Sequence, residues 1–151
     1  MAITQAMTTS FKTEILTATH NFGTAPTRAS GAADVFKIAL YTSSATLDAS
    51  TTAYTTSNEV SSSGTNYTAG GLTLTISQAP TFTSTTAWLD FDDVTFSSAT
   101  ITSNGALIYN ATQSNKTVAV LAFGGDKTST AGNFTIQFPA ATSTTAILRI
   151  A

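Results

Sequence analysis

The chain has 151 residues, of which 42% are hydrophobic and only 9% charged, with six basic against eight acidic side chains, a formal net charge of −2 and no cysteine. This length and apolar content suit one domain with a conventional core, and they exclude disulfide staples and cysteine-ligated metals. Scattered Lys and Arg exclude a phosphate-binding stripe, and the longest apolar run, residues 118–123, is far short of the roughly 20 residues of a membrane-spanning helix.

Residues 1–9 are weakly apolar and read as an N-terminal arm that frays in a monomer or lies along a neighbouring subunit in an assembly. They carry no basic and apolar leader pattern, so the expected product is a soluble protein made in the cytoplasm. Residues 10–20 form the one predicted helix: Phe11, Ile15, Ala18 and Phe22 recur at helical spacing, Ser10 is the expected N-cap and Gly23 lies beyond the end. Residues 24–33, with Pro26 and Gly31, are a predicted loop.

Beyond them, threonine dominates. It makes up roughly a fifth of the chain, far above ordinary usage, and its β-branched side chain fits a pleated surface. Predicted strands are 35–41, with Phe36, Ile38 and Leu40 on one face, then 72–77, 87–92 continuing through 94–96 past a kink at Asp93, a hairpin of 106–110 with 117–123, then 133–138 and 146–150. Residues 42–56 read as a surface excursion or a poorly patterned edge hairpin. Residues 118–123, apolar on both faces, mark a strand covered by a facing sheet on one side and by the helix or a neighbouring molecule on the other. Gly124-Gly125-Asp126-Lys127 is the expected turn into the next strand. About eight or nine strands with turn signals every eight to twelve residues make an all-β domain over residues 10–151: an antiparallel β-sandwich or jelly-roll-like barrel with one short N-terminal helix.

Residues able to do chemistry are few. His20 is the sole histidine, at the predicted helix end where the dipole favours a cation, and no G-x-S-x-G elbow or cysteine nucleophile accompanies it. In Trp88-Leu89-Asp90-Phe91-Asp92-Asp93, alternation puts Trp88, Asp90 and Asp92 on one exposed face, a pattern open to a calcium reading or to edge charges that discourage sheet pairing. The Gly124–Lys127 stretch lacks the spacing of a phosphate loop. Tyr41, Tyr54, Tyr67 and Tyr109 are expected to be half-buried strand residues, one or two of them anchoring an interface. Sequons at Asn66, Asn110, Asn115 and Asn133 match what chance gives in a chain this rich in Ser and Thr. No catalytic residue, metal site or cofactor is expected. The surface, short of charge, repels its own copies weakly and so is expected to be covered by others.

Several runs, Phe36-Lys37-Ile38-Ala39-Leu40-Tyr41, Asn66-Tyr67-Thr68-Ala69-Gly70-Gly71, Trp88-Leu89-Asp90-Phe91-Asp92-Asp93, Ala106-Leu107-Ile108-Tyr109-Asn110, Val118-Ala119-Val120-Leu121-Ala122-Phe123-Gly124 and Phe134-Thr135-Ile136-Gln137-Phe138, carry a resemblance. Together with the helix from Phe11 to Phe22, they resemble a family of small virion structural proteins of tailed bacteriophages, over most of the chain. The resemblance implies a place in the virion, without catalytic residues. The leading expectation is a capsid decoration, or cement, protein whose partners are the major capsid protein and copies of itself, with no nucleic acid and no membrane. A tail or neck component (tube, adaptor or spike) and a carbohydrate- or receptor-binding β domain using Trp88 and the tyrosines are the alternatives. Ile3, Met7, Trp88, Asp90, Asp92 and Tyr109 are the candidate interface residues.

Overall fold

Thr-rich alternating segments become strands in the computed structural model, which describes residues 2–23 and 33–151. In chain order the elements are β1 (Ala6–Met7), α1 (Thr9–Leu16), β2 (Phe36–Tyr41), β3 (Leu72–Thr73), β4 (Ile76–Thr83), β5 (Thr86–Phe91), β6 (Val94–Asn110), β7 (Lys116–Ile136) and β8 (Leu148–Ile150). They build two antiparallel sheets, one ordered β1-β7-β6-β2-β3 and the other β4-β5-β8. The protein is therefore all-β and sandwich-like with one short helix, as its alternation predicts. The main core unites Phe36, Ile38 and Leu40 of β2 with Leu89 and Phe91 of β5 and Ile108 of β6. Each such side chain, fully buried, contributes about 1.5–3 kcal/mol.

The opposite face of the larger sheet is also dry around β2, although Thr95, Thr100 and Thr102 farther along β6 are exposed. Ala39, Tyr41, Leu107, Tyr109 and Val120 are covered by Ala45 and Leu47, with Tyr54 packed alongside. Residues 42–56 are thus a lid on the sheet, tied down by Tyr54 N–H to Asn115 O at 2.9 Å and by a bridge between Ala53 and Lys116. This is why β2 and the first half of β7 are apolar on both faces: the second cover comes from the chain itself, and no neighbouring molecule is needed.

The N-terminal arm is not free. Thr4 N–H donates to Leu47 O at 2.8 Å, Leu47 N–H to Ala2 O at 3.3 Å, and β1 pairs Ala6 and Met7 with Val120 and Ala119. Composition alone gave no sign of this, because a strand of two residues has no periodicity to read.

The helix is shorter than expected. Its N-cap is Thr8, whose hydroxyl turns to Thr117 O and Val118 O instead of capping the helix. After Leu16 the chain closes a Schellman turn, Thr19 N–H to Glu14 O at 2.8 Å and Ala18 N–H to Ile15 O at 3.0 Å, with Ala18 left-handed at φ 54°. Ala18 and Phe22 therefore match the helical spacing without being helical. The position normally favours glycine, so Ala18→Gly is expected to stabilise the fold by about 0.5–1 kcal/mol, read as a rise in the urea midpoint. A lower midpoint would contradict the assigned cap.

Two strand boundaries also move. The run 72–77 breaks at Leu74 and Thr75 into β3 and β4, although Leu72, Leu74 and Ile76 all still face the core. Gly124-Gly125-Asp126-Lys127 is not a turn between strands but a bulge inside β7. Gly105 pairs with Ala122 and Ser103 with Lys127, so four residues of β7 face Asn104 alone. Gly124 at φ 69° and Gly125 at φ 137° permit the detour, and Asn104 Nδ2 donates to Asp126 Oδ1 at 2.8 Å. Further shifts occur between Ala99 and Ile101 and between Phe96 and Ala99, where Ala131 (φ 47°) and Ser98 (φ 51°) are left-handed. The predicted hairpin around residue 111 is thereby the tip of a far longer one. The predicted loop 24–33 lies, but for Ala33, outside the described residues.

Candidate functional site

Two polar clusters, an acidic strand and an apolar cleft are the places where this fold could act. The first cluster centres on Asn110, fully buried at the end of β6. Its Oδ1 accepts the Thr112 and Gln113 amides, both at 3.1 Å, which fixes the orientation of the side-chain amide. Nδ2 then donates to Asp34 Oδ2 at 2.7 Å and to His20 Nδ1 at 3.0 Å. With Nδ1 accepting, His20 carries its proton on Nε2 and donates it to Glu14 Oε2 at 2.7 Å, while Lys116 Nζ holds Glu14 Oε1 at 2.5 Å. Asp34 also accepts the Asn21 amide at 2.9 Å and Gln113 Nε2 at 3.3 Å.

His20 is thus not at a helix end. The helix stops at Leu16, and the His20 side chain, with no exposed surface, is a strut between α1 and β6 whose two nitrogens are both engaged. Burial works to raise the Glu14 pKa, but hydrogen bonds from Lys116 and His20 outweigh it and hold the carboxyl below its ordinary value.

Glu59 gathers the second cluster. It accepts Tyr54 Oη at 2.7 Å, Tyr67 Oη at 2.6 Å and the Gly70 amide at 2.6 Å, and Tyr67 Oη in turn accepts the Leu40 amide at 3.0 Å. Tyr109 stacks on Tyr54 with centroids 4.7 Å apart and donates to Gly70 O at 2.8 Å. Burial, with the Glu59 charge adding to it, pushes the Tyr109 hydroxyl up to about 12, and it raises Tyr41, Tyr54 and Tyr67 as well. These phenols stay protonated: Tyr41 and Tyr109 donate from the sheet to Thr55 O and Gly70 O and so tie the 54–70 segment down, while Tyr54 and Tyr67 donate to Glu59 within it. Tyr109, expected at an interface, is buried and belongs to this scaffold.

The acidic strand divides. Asp92 and Asp93 are exposed, and Asp93 Oδ1 accepts the Phe138 amide at 2.8 Å, but Asp90 is only 1% exposed. The face that alternation assigns to solvent is closed at Asp90, where the chain entering β8 brings the Ile147 amide close. Asp90 Oδ1 accepts the Phe91 amide at 2.9 Å and Oδ2 has no hydrogen-bond partner. Asp90 and Asp92 therefore do not form an exposed pair, and no group of three or more His, Cys, Asp or Glu among the described residues is placed to hold a metal.

Burial raises the Asp90 pKa, the amides of Phe91 and Ile147 oppose that rise, and the Asp93 charge reinforces it. A raised carboxyl keeps its proton longer in the folded state than in the unfolded chain. Stability from this group is then complete below the unfolded carboxylate value of about 3.9 and falls as pH rises toward the folded value. Asp90→Asn is expected to raise stability by about 1 kcal/mol at pH 7 and to leave it unchanged near pH 3, checked by urea unfolding at both. Equal effects at the two pH values would refute the charge as the cause.

Of the other candidate residues, Ile3 is half-buried against the second apolar cluster and approaches the Gly105 backbone. Met7 packs on the main core, and both Met7 and Trp88 border a cleft of about 180 Å³ between α1 and the smaller sheet. Asp92 alone of the six is fully on the surface. No protein-family model matches this chain, and no curated protein or solved structure shows significant similarity to it. Sequence reasoning missed the Asn110 cluster, for which one signal existed: in a chain with so few charges, Glu14, Asp34 and Lys116 stand out as residues that must be held by something.

Proposed function

We propose that this protein is a structural component of a tailed-bacteriophage virion, and within it a decoration protein seated on the outer surface of the head against the major capsid protein and further copies of itself. The observation that carries the reading is where its polar chemistry goes. His20, Glu14, Asp34, Asn110 and Glu59, the groups best suited to act on a substrate, are committed to one another and to backbone amides. What is left outside is a hydroxyl-rich, charge-poor surface whose stiff side chains lose little entropy on docking, so that modest contacts add up over repeated copies. The resemblance of residues 36–41, 88–93 and 106–110 to phage structural proteins points the same way.

Mass spectrometry of purified particles and a map of the virion test it. The expected result is the polypeptide in intact particles, with density at fixed positions on the head. Density in tail rings or tips would replace the decoration role with a tail role, and absence from the particle would end the reading altogether.

A further inference from the structure

We infer that His20 is a proton-operated latch: a second proton on its imidazole shifts α1 and β1 toward an undocked state and bares the edge of β7 that they cover. The ring has no exposed side-chain surface and packs against Phe11, Phe22 and Phe36 at centroid distances of 4.9, 6.3 and 6.4 Å. Its Nε2–H already has an acceptor in Glu14 Oε2, so an added proton must go to Nδ1. There it meets Asn110 Nδ2, itself a donor, 3.0 Å away. Asn110 cannot turn to offer its oxygen instead. Oδ1 holds the Thr112 and Gln113 amides, and a turned side chain would set its NH2 against those two N–H groups and its carbonyl against Asp34 Oδ2. A doubly protonated ring is left with a charged donor unsatisfied in a dry slot, which favours the state in which the ring has moved out to water.

The charges nearby do not offset this. Among the described residues they are Glu14 of α1, Lys116 of β7 and Asp34 ahead of β2, and β4, β5 and β8 bring no titratable side chain to the cleft that His20 borders. Glu14 already has a cation in Lys116 Nζ, and Asp34 already accepts hydrogen bonds from Asn110, Gln113 and the Asn21 amide. Glu14, held below its ordinary value, is still charged at pH 5, so an acid response above that pH belongs to His20. What opens is the backbone of residues 118–120. It is sealed by β1, which pairs Ala6 and Met7 with Val120 and Ala119, and by Thr8 N–H donating to Val118 O at 3.1 Å. The edge is thus closed at neutral pH and opened by acid, whether or not the protein belongs to a virion.

His20 is the only histidine, so its ring nitrogens give an unambiguous NMR signal. The test follows that signal, together with backbone hydrogen exchange corrected for intrinsic rates, in the full chain between pH 7.5 and pH 5. A solvent-exposed imidazole takes its second proton at about pH 6.5, so each pH unit below that multiplies the open population by about ten. The expected result at pH 5 is a loss of protection of about thirtyfold in α1 and β1, with the β2–β6 ladder unchanged and the doubly protonated ring seen only in the open state. His20→Gln, which cannot take the proton, is expected to lack this loss. Where that variant does not fold, the wild-type ring and exchange data decide alone. A doubly protonated ring with α1 still protected, unchanged protection at pH 5, or the same loss in His20→Gln would each overturn the inference.

Discussion

Gly71→Ala is expected to cost at least about 4 kcal/mol, enough to prevent folding of a marginally stable domain. Gly71 lies where the turn after Tyr67 closes onto β2, with Gly71 N–H donating to Thr68 O at 2.8 Å and Leu72 pairing with Ile38. A Cβ there would meet Ile38 O at 1.7 Å and Ala39 Cα at 2.8 Å, backbone atoms that cannot step aside without unpairing β2 from β3. The φ of +71° adds strain of about 1–2 kcal/mol to any L side chain. Gly64 has nearly the same φ, +72°, but open space around it, so Gly64→Ala should cost only that backbone strain. Denaturant unfolding of the pair separates the two causes. Similar losses in both variants would show that close approach to β2 is not what Gly71 provides.

Asn110→Leu is the second substitution with a large effect, an expected loss of about 3–5 kcal/mol despite the near-equal volume. It removes four hydrogen bonds at once: buried His20 Nδ1 loses its donor, Asp34 Oδ2 keeps only the Asn21 amide, and the Thr112 and Gln113 amides in the partly exposed turn lose their acceptor. Because α1 reaches the sheet through Glu14 and His20, hydrogen exchange should show α1 and the β6–β7 turn losing protection first. Acid should erode the same contacts. The lowered Glu14 carboxyl contributes stability that is fully present above its unfolded value and is lost as pH falls through its folded value. Because Asp90 works in the opposite sense, the deciding measurement is local: unaltered protection in α1 at pH 3 would argue that this cluster holds nothing together.

Strand positions were legible wherever one face is dry and one wet, as in Phe134 to Phe138, where burial alternates through Ile136. Legibility failed where irregular chain supplies the cover. Residues 42–56 look like a polar excursion because their Thr and Ser face water, yet Ala45 and Leu47 beneath them cover Tyr41, Leu107 and Val120 on the second face of the larger sheet. Asp90 was misassigned for the same reason: period-2 reasoning sees the strand and not the chain crossing over it. Tyr109 looked like a surface anchor because its partner, Gly70 O, is a backbone atom that no side-chain pattern reveals. The cleft is half visible in the sequence, through Met7 and Trp88, but the alignment of Phe82, Ala87 and Ile150 across β4, β5 and β8 depends on register, which no single strand encodes.

The β6–β7 ladder is interrupted at three places between Val94 and Gly105. An unbroken ribbon of that length in a protein with so little charge would hand passing chains a long straight template for backbone pairing. Each detour tilts the strand and resets its alignment, which shortens the straight stretch that a second copy would pair with. Such a protein can be concentrated many-fold where its copies gather and still remain discrete molecules, free to choose partners through side chains rather than through exposed peptide groups.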